Sequence, residues 1–255
     1  MMDLRLTTCA VVGLASLTSG SALAQSSALY VTDGDSQRLA IAQNGNATIK
    51  TTYVRGYPIV VRNTVWIGDY SASIPAREYD LAGNATGNTS AYTARNAVDA
   101  GTDGVNNYML GNAFSGNATV WRTDGQFGNQ VALFSVQGSD LVGITYDMNS
   151  NTLWISDNTN IYNYTTGGQL LSSFAHGRGR GCLAWEPSTD TLWYVNNGSN
   201  NIHQFTKTGT FLQTVVVNGL ASNNWGAEFQ MAIPAPGALA MLGLAGLVSA
   251  RRRRR

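Results

Sequence analysis

Lysine, histidine, cysteine and proline are all scarce in this chain. Among 255 residues the only lysines are Lys50 and Lys207, the only histidines His176 and His203, the only cysteines Cys9 and Cys182, and five residues are proline. Two cysteines make neither a disulfide framework nor a cysteine zinc site, and Cys9 falls in a segment with the character of a removable leader. Two histidines leave little material for imidazole-based acid–base chemistry. Neither Gly-x-Ser-x-Gly nor His-Glu-x-x-His occurs, and the spacing and lysine of a Walker phosphate loop are missing. Positive charge is scarce as well once the ends are set aside. Five of the 14 arginines are the last five residues, and between residues 25 and 232 ten Lys and Arg face 14 Asp and Glu. No basic face for nucleic acid follows from that balance. What remains is 44% hydrophobic, with 28 glycines and 12% charged residues, a globular composition with a sparsely charged surface.

The two ends are unlike the middle. Residues 1–24 carry Arg5, an apolar stretch from Cys9 to Leu17, and Ala22-Leu23-Ala24 before the polar Gln25-Ser26-Ser27. That order is that of a signal peptide with a mature start at Gln25. At the other end, Ile233-Pro234-Ala235-Pro236 precedes an apolar run from Gly237 to Ala250 and then Arg251, Arg252, Arg253, Arg254 and Arg255. Counted from Ile233 the run is about 18 residues, the lower limit for one transmembrane helix. The arginine cluster would hold the C-terminus in the cytoplasm and leave the body outside.

Residues 233–255 resemble the PEP-CTERM sorting signal: a Pro-Glu-Pro motif, a short hydrophobic helix and an arginine-rich terminus. Here Ala235 stands in place of the usual Glu. The resemblance implies export, residence in the inner membrane, and processing near the proline motif by an exosortase-type enzyme in an exopolysaccharide-producing bacterium.

The body, residues 25–232, is a repeat. Gly143-Ile-Thr-Tyr-Asp147 through Leu153-Trp154-Ile-Ser-Asp157 matches Cys182-Leu-Ala-Trp-Glu186 through Leu192-Trp193-Tyr-Val-Asn196, 39 residues on. An apolar residue four before a turn glycine recurs as Ile41/Gly45, Tyr79/Gly83, Trp121/Gly125, Tyr164/Gly168 and Phe205/Gly209. A second core position recurs at Tyr30, Trp66, Met109, Trp154 and Trp193, followed three residues later by Asp33, Asp69, Asn112, Asp157 and Asn196. Four short strands per unit of about 40 residues predict an all-β, five-bladed β-propeller. The first unit lacks its innermost strand, and Trp225-Gly-Ala-Glu-Phe229 supplies one at the far end of the body, so the C-terminal strand should close the ring. Leu29-Tyr30-Val31-Thr32-Asp33 through Leu39-Ala40-Ile41 resembles the units of NHL-type and lactonase-like propellers. That resemblance speaks to architecture and weakly to activity.

Two groups of residues are candidates for function, both on the face formed by the loops between strands two and three and between blades. The first is the ring of strand-end carboxylates Asp33, Asp69 and Asp157, with Asp35, Asn158 and Asn197 beside it. Converging oxygens suit Ca²⁺, so a calcium site stays open, although the same residues equally serve as turn caps. The second is the loop His176-Gly-Arg178-Gly-Arg180, which breaks the repeat and whose guanidinium forks suit an acidic polysaccharide. His203 alternates along an outer strand and is expected at the surface. No catalytic residue and no resident metal is assigned. The functional expectation is an exported cell-surface or matrix propeller with a binding or structural role, with a calcium-dependent lactonase-like or glycan-cleaving hydrolase as the alternative.

Overall fold

A computed structural model describes residues 27–52, 55–71, 73–91, 96–138 and 140–231. The expected leader, the Pro-Ala-Pro motif, the transmembrane helix and the arginine cluster lie outside the described residues. Among those described, no helix is long and apolar enough to cross a membrane.

Twenty strands form five four-stranded antiparallel sheets. Blade 1 contains β1 (Leu29–Asp33), β2 (Arg38–Gln43) and β3 (Asn46–Thr51). Blade 2 contains β4 (Gly56–Val61), β5 (Val65–Asp69), β6 (Ala76–Tyr79) and β7 (Ala85–Ser90). Blade 3 contains β8 (Ala100–Thr102), β9 (Asn107–Gly111), β10 (Asn117–Thr123) and β11 (Val131–Gln137). Blade 4 contains β12 (Gly143–Asp147), β13 (Thr152–Ser156), β14 (Asn160–Thr165) and β15 (Leu170–Ala175). Blade 5 contains β16 (Gly181–Glu186), β17 (Thr191–Asn196), β18 (Asn201–Phe205) and β19 (Phe211–Val216). The last strand, β20 (Asn224–Phe229), pairs with β1 and completes blade 1, so the expected closure by the C-terminal strand is what the structure shows.

Burial falls from the axis outwards, and the sequence follows it. In blade 4, β12 and β13 are buried throughout, β14 is largely half-buried, and Leu170 and Leu171 of β15 face solvent. The core lies between blades, where Trp154, Leu183, Trp185 and Phe205 pack blade 4 on blade 5, and Leu29, Trp193 and Phe229 pack blade 5 on blade 1. Cys182 belongs to this second cluster, and burial pushes its thiol up. The turn glycines have a steric reason at two places. Gly168 and Gly209 both sit at φ +89°, and a Cβ on either would come 2.6 Å from a ring carbon of Phe134 or Phe174 on the preceding blade. Only glycine accommodates both the left-handed backbone and that approach.

The pairing register defines two faces. Gly56 opposite Asp69, Gly143 opposite Ser156, Gly181 opposite Asn196 and Asn224 opposite Asp33 mark one end of the blades, the mouth. Val61 opposite Val65, Glu186 opposite Thr191 and Leu29 opposite Phe229 mark the other, the base. Both ends of the propeller emerge at the base, where Gln230 N–H donates to Ala28 C=O at 3.4 Å.

Candidate functional site at the mouth of the propeller

Each strand-end carboxylate of the expected ring is committed to its own turn. Asp69 accepts from the N–H groups of Arg55 (3.0 Å) and Ser71 (2.8 Å) and from the Ser71 hydroxyl. Asp157 accepts from the N–H groups of Thr159 and Asn160, both at 2.7 Å, and from Tyr162 Oη. Burial works to raise its pKa, but these donors outweigh it and hold Asp157 below the usual range. Asp33 is buried and accepts from Ser36 N–H. The Asp147 hairpin is likewise a turn, with Oδ1 accepting from Asn149 and Ser150 N–H. Among the described residues no three His, Cys, Asp or Glu side chains stand close enough to hold a metal ion.

The basic loop separates into three environments. His176 is buried, its Nδ1 accepting from Arg178 N–H (3.2 Å), which leaves Nε2 to donate to Asp157 C=O (2.9 Å). Burial lowers its pKa, in keeping with that neutral tautomer. Arg178 lays its guanidinium 4.7 Å from the ring centre of Phe211, an outer-strand residue, away from the axis. Only Arg180 turns to the mouth. His203 is a correction to the sequence reading: it is 6% exposed, with Nδ1 bonded to the Thr214 hydroxyl. Burial, with Arg178 and His176 nearby, pushes its pKa down to about 4.

What the mouth brings together is aromatic. Tyr57 at the start of β4, Tyr70 after β5, Phe114 after β9 and Trp225 in β20 form a closed circuit. Their ring centres are 4.9 Å (Tyr57 to Tyr70), 6.4 Å (Tyr70 to Phe114), 5.7 Å (Phe114 to Trp225) and 5.2 Å (Trp225 to Tyr57) apart. Blades 1, 2 and 3 contribute these rings; blade 5 adds Arg180, whose guanidinium lies 5.3 Å from the Phe114 centre and 5.8 Å from that of Trp225. Phe114 is 40% exposed, and Trp225 Nε1 has no hydrogen-bond partner among the described residues. Two ion pairs flank the rings. Arg55 meets Asp35 at 3.2 Å, and Arg180 meets Asp140 at 2.6 Å. Asp35 also accepts from Tyr57 Oη (3.0 Å) and from Asn223 Nδ2. Burial and that carboxylate push the Tyr57 phenol up to about 12, so it stays a donor.

Sequence reasoning missed the four rings, although a signal was there. Tyr70 occupies the place that Gly34, Asn158 and Asn197 hold in other units, directly after the recurring strand-end Asp or Asn. Functional residues in a repeat are found where it breaks.

Beneath the rings, the innermost strands meet on one side chain. Asp99 Oδ1 accepts from Ala100 N–H (2.9 Å) and Ala227 N–H (3.1 Å), and Oδ2 from Ile144 N–H (3.0 Å) and Leu183 N–H (3.1 Å). Blades 1, 3, 4 and 5 are thus tied to one carboxylate. Glu228 is buried in the same region and accepts from the Thr145 hydroxyl at 3.2 Å. Burial pushes both carboxyls up, and the four N–H donors oppose it at Asp99, whose oxygens they fill. At Glu228 the neighbouring Asp99 adds to the upward push of burial, and the Thr145 hydroxyl opposes it.

No protein-family model matches the chain, and no curated protein matches it. Among solved structures, the crystal structure of a nidogen/laminin complex superposes with a TM-score of 0.57 at 10% identity, over 81% of this chain and 99% of that one. A virginiamycin B lyase from Staphylococcus aureus superposes at TM-score 0.46 and 15% identity, over 76% of this chain and 67% of that one. At 10% identity the nidogen/laminin likeness concerns fold alone, and the propeller body is what it supports.

Proposed function

We propose that the chain is an exported binding protein of the cell surface or extracellular matrix, whose propeller mouth holds a carbohydrate chain such as an exopolysaccharide. The observation that carries this is the aromatic cluster at the mouth, where exposed Phe114 and half-buried Tyr70 and Trp225 offer their faces and buried Tyr57 packs against them from the core. Aromatic faces offer large rigid apolar area with polar handles at their rims, and the C–H faces of a pyranose ring lie flat on such a surface. Arg55, Arg180, Asp35 and Asn158 around the rings supply donors and acceptors for sugar hydroxyls. In this reading residues 1–24 direct export, and residues 233–255 hold the protein in the inner membrane until an exosortase-type enzyme processes it near Pro234-Ala235-Pro236. The described mouth carboxylates cap turns or neutralise arginines, and His176 is bonded through both ring nitrogens, which supports a binding role.

Thermal denaturation with added oligosaccharides tests the reading, because a ligand bound only by the folded state raises its stability by about 2.7 kcal/mol at 100 times Kd. The expected result is a rise in Tm with at least one glycan, unchanged by chelator and removed by Phe114→Ala. A rise produced by Ca²⁺ alone, or none with any glycan, sinks it.

A further inference from the structure

We infer that Asp140 sets the ligand class of the mouth, cancelling the charge of Arg180 so that the site takes uncharged glycans in preference to acidic ones. The inference rests on the carbohydrate reading above and refines it. An arginine beside aromatic rings would ordinarily be the natural partner of a uronate carboxylate. Here that partner is already present. Asp140 Oδ1 holds Arg180 at 2.6 Å, while Oδ2 accepts from Asn158 Nδ2 at 2.9 Å, so the carboxylate is fixed from two sides. Arg55, the other cation at the mouth among the described residues, has its own carboxylate in Asp35. A uronate would have to displace Asp140 and would be repelled by it, whereas a neutral pyranose meets rings and already paired charges.

The backbone at Asp140 would equally accept glycine. It has φ +58°, in the left-handed region, and 39 residues later the sister loop has Gly179 at φ +71°. Glycine meets the same requirement at no steric cost, whereas an Asp there carries a penalty. The added carboxylate reaches Arg180, which blade 5 sends across to Phe114 and Trp225. Asp140 is thus a specificity-determining residue acting through Arg180.

Asp140→Gly suits the local backbone, and Asp140→Asn tolerates it and keeps an oxygen for Asn158, so both variants should fold. The full chain, kept soluble in mild detergent, is assayed by biolayer interferometry on immobilised laminarin, dextran and galactomannan and on polygalacturonate and alginate. The wild type should bind at least one neutral polymer and bind both uronate polymers at least about tenfold more weakly, a difference of about one charged hydrogen bond. Each variant should gain about tenfold on a uronate polymer, with neutral affinity little changed. That gain should vanish in Asp140→Gly with Arg180→Ala and fade in high salt. Wild-type binding to a uronate polymer as tight as to any neutral one overturns the inference. So does an absence of gain in both variants while neutral binding persists, and that outcome leaves the carbohydrate reading standing. Failure of wild type and variants to bind any polymer overturns the carbohydrate reading and the inference with it.

Discussion

Blades 4 and 5 are built alike, and the mouth-lining parts of blades 1 to 3 are built unlike anything else in the molecule. In blade 4 the indole of Trp154 donates to Asp147 seven residues earlier, and in blade 5 that of Trp193 donates to Glu186 seven residues earlier. Lys207 joins the two units at the base by bridging Asp147 and Asp190. At the mouth, blades 1 to 3 place Trp225, Tyr57, Tyr70 and Phe114, whose rings reach across blade boundaries. The difference teaches a division of labour: units that keep the repeat make the frame, and units that depart from it at one end make the aromatic mouth to which the proposed function assigns the ligand.

The comparison breaks hardest at Asp99, which belongs to neither class and joins four blades. Asp99→Ala leaves four interior N–H groups without their acceptor, and a loss of more than about 4 kcal/mol is expected in chemical denaturation. Trp193→Ala removes a fully buried frame residue and should cost about 3–5 kcal/mol, with glycan affinity per folded molecule unchanged. A parallel loss of affinity would mean that frame and surface are not separable. Phe114→Ala should do the reverse. It should lower glycan affinity about tenfold, or ~1.4 kcal/mol, while moving Tm by no more than about 2 °C. The smallest effect concerns Glu228. Its folded pKa is raised well above 4.5, so unfolded chains release this proton while folded ones keep it, and stability falls as pH rises past 4.5. Glu228→Gln removes that loss and keeps an acceptor for Thr145. It should raise Tm at pH 7. That gain should disappear at or below pH 4.

The propeller was legible because its frame is repetitive: Tyr30, Trp66, Met109, Trp154 and Trp193 each fill the second strand of a blade at the expected place. Closure was legible because Trp225 to Phe229 had no partner except the incomplete first unit. The mouth was less so. Asp33, Asp69 and Asp157 recur for the very reason that makes them turn caps, and recurrence drew the eye to them. Arg178 and Arg180 are two residues apart, yet one folds over Phe211 and the other over Phe114 and Trp225, a divergence decided by interblade packing. His203 alternates like a surface residue but is covered by Phe211 of the adjoining strand in its own blade, over which Arg178 of the interblade loop lies.

The meeting of Ala28 and Gln230 at the base gives the molecule a polarity. Whatever holds this propeller by either end, whether a membrane, a fusion partner or a resin, leaves the ring of aromatics facing outward. On the proposed carbohydrate function, a layer of such molecules would present many mouths in one orientation, and a long polymer with repeating units would meet them as an array. Weak individual contacts then combine into avidity far above that of a single mouth. Polymer length, more than the chemistry of one sugar, becomes the quantity that such a coating measures.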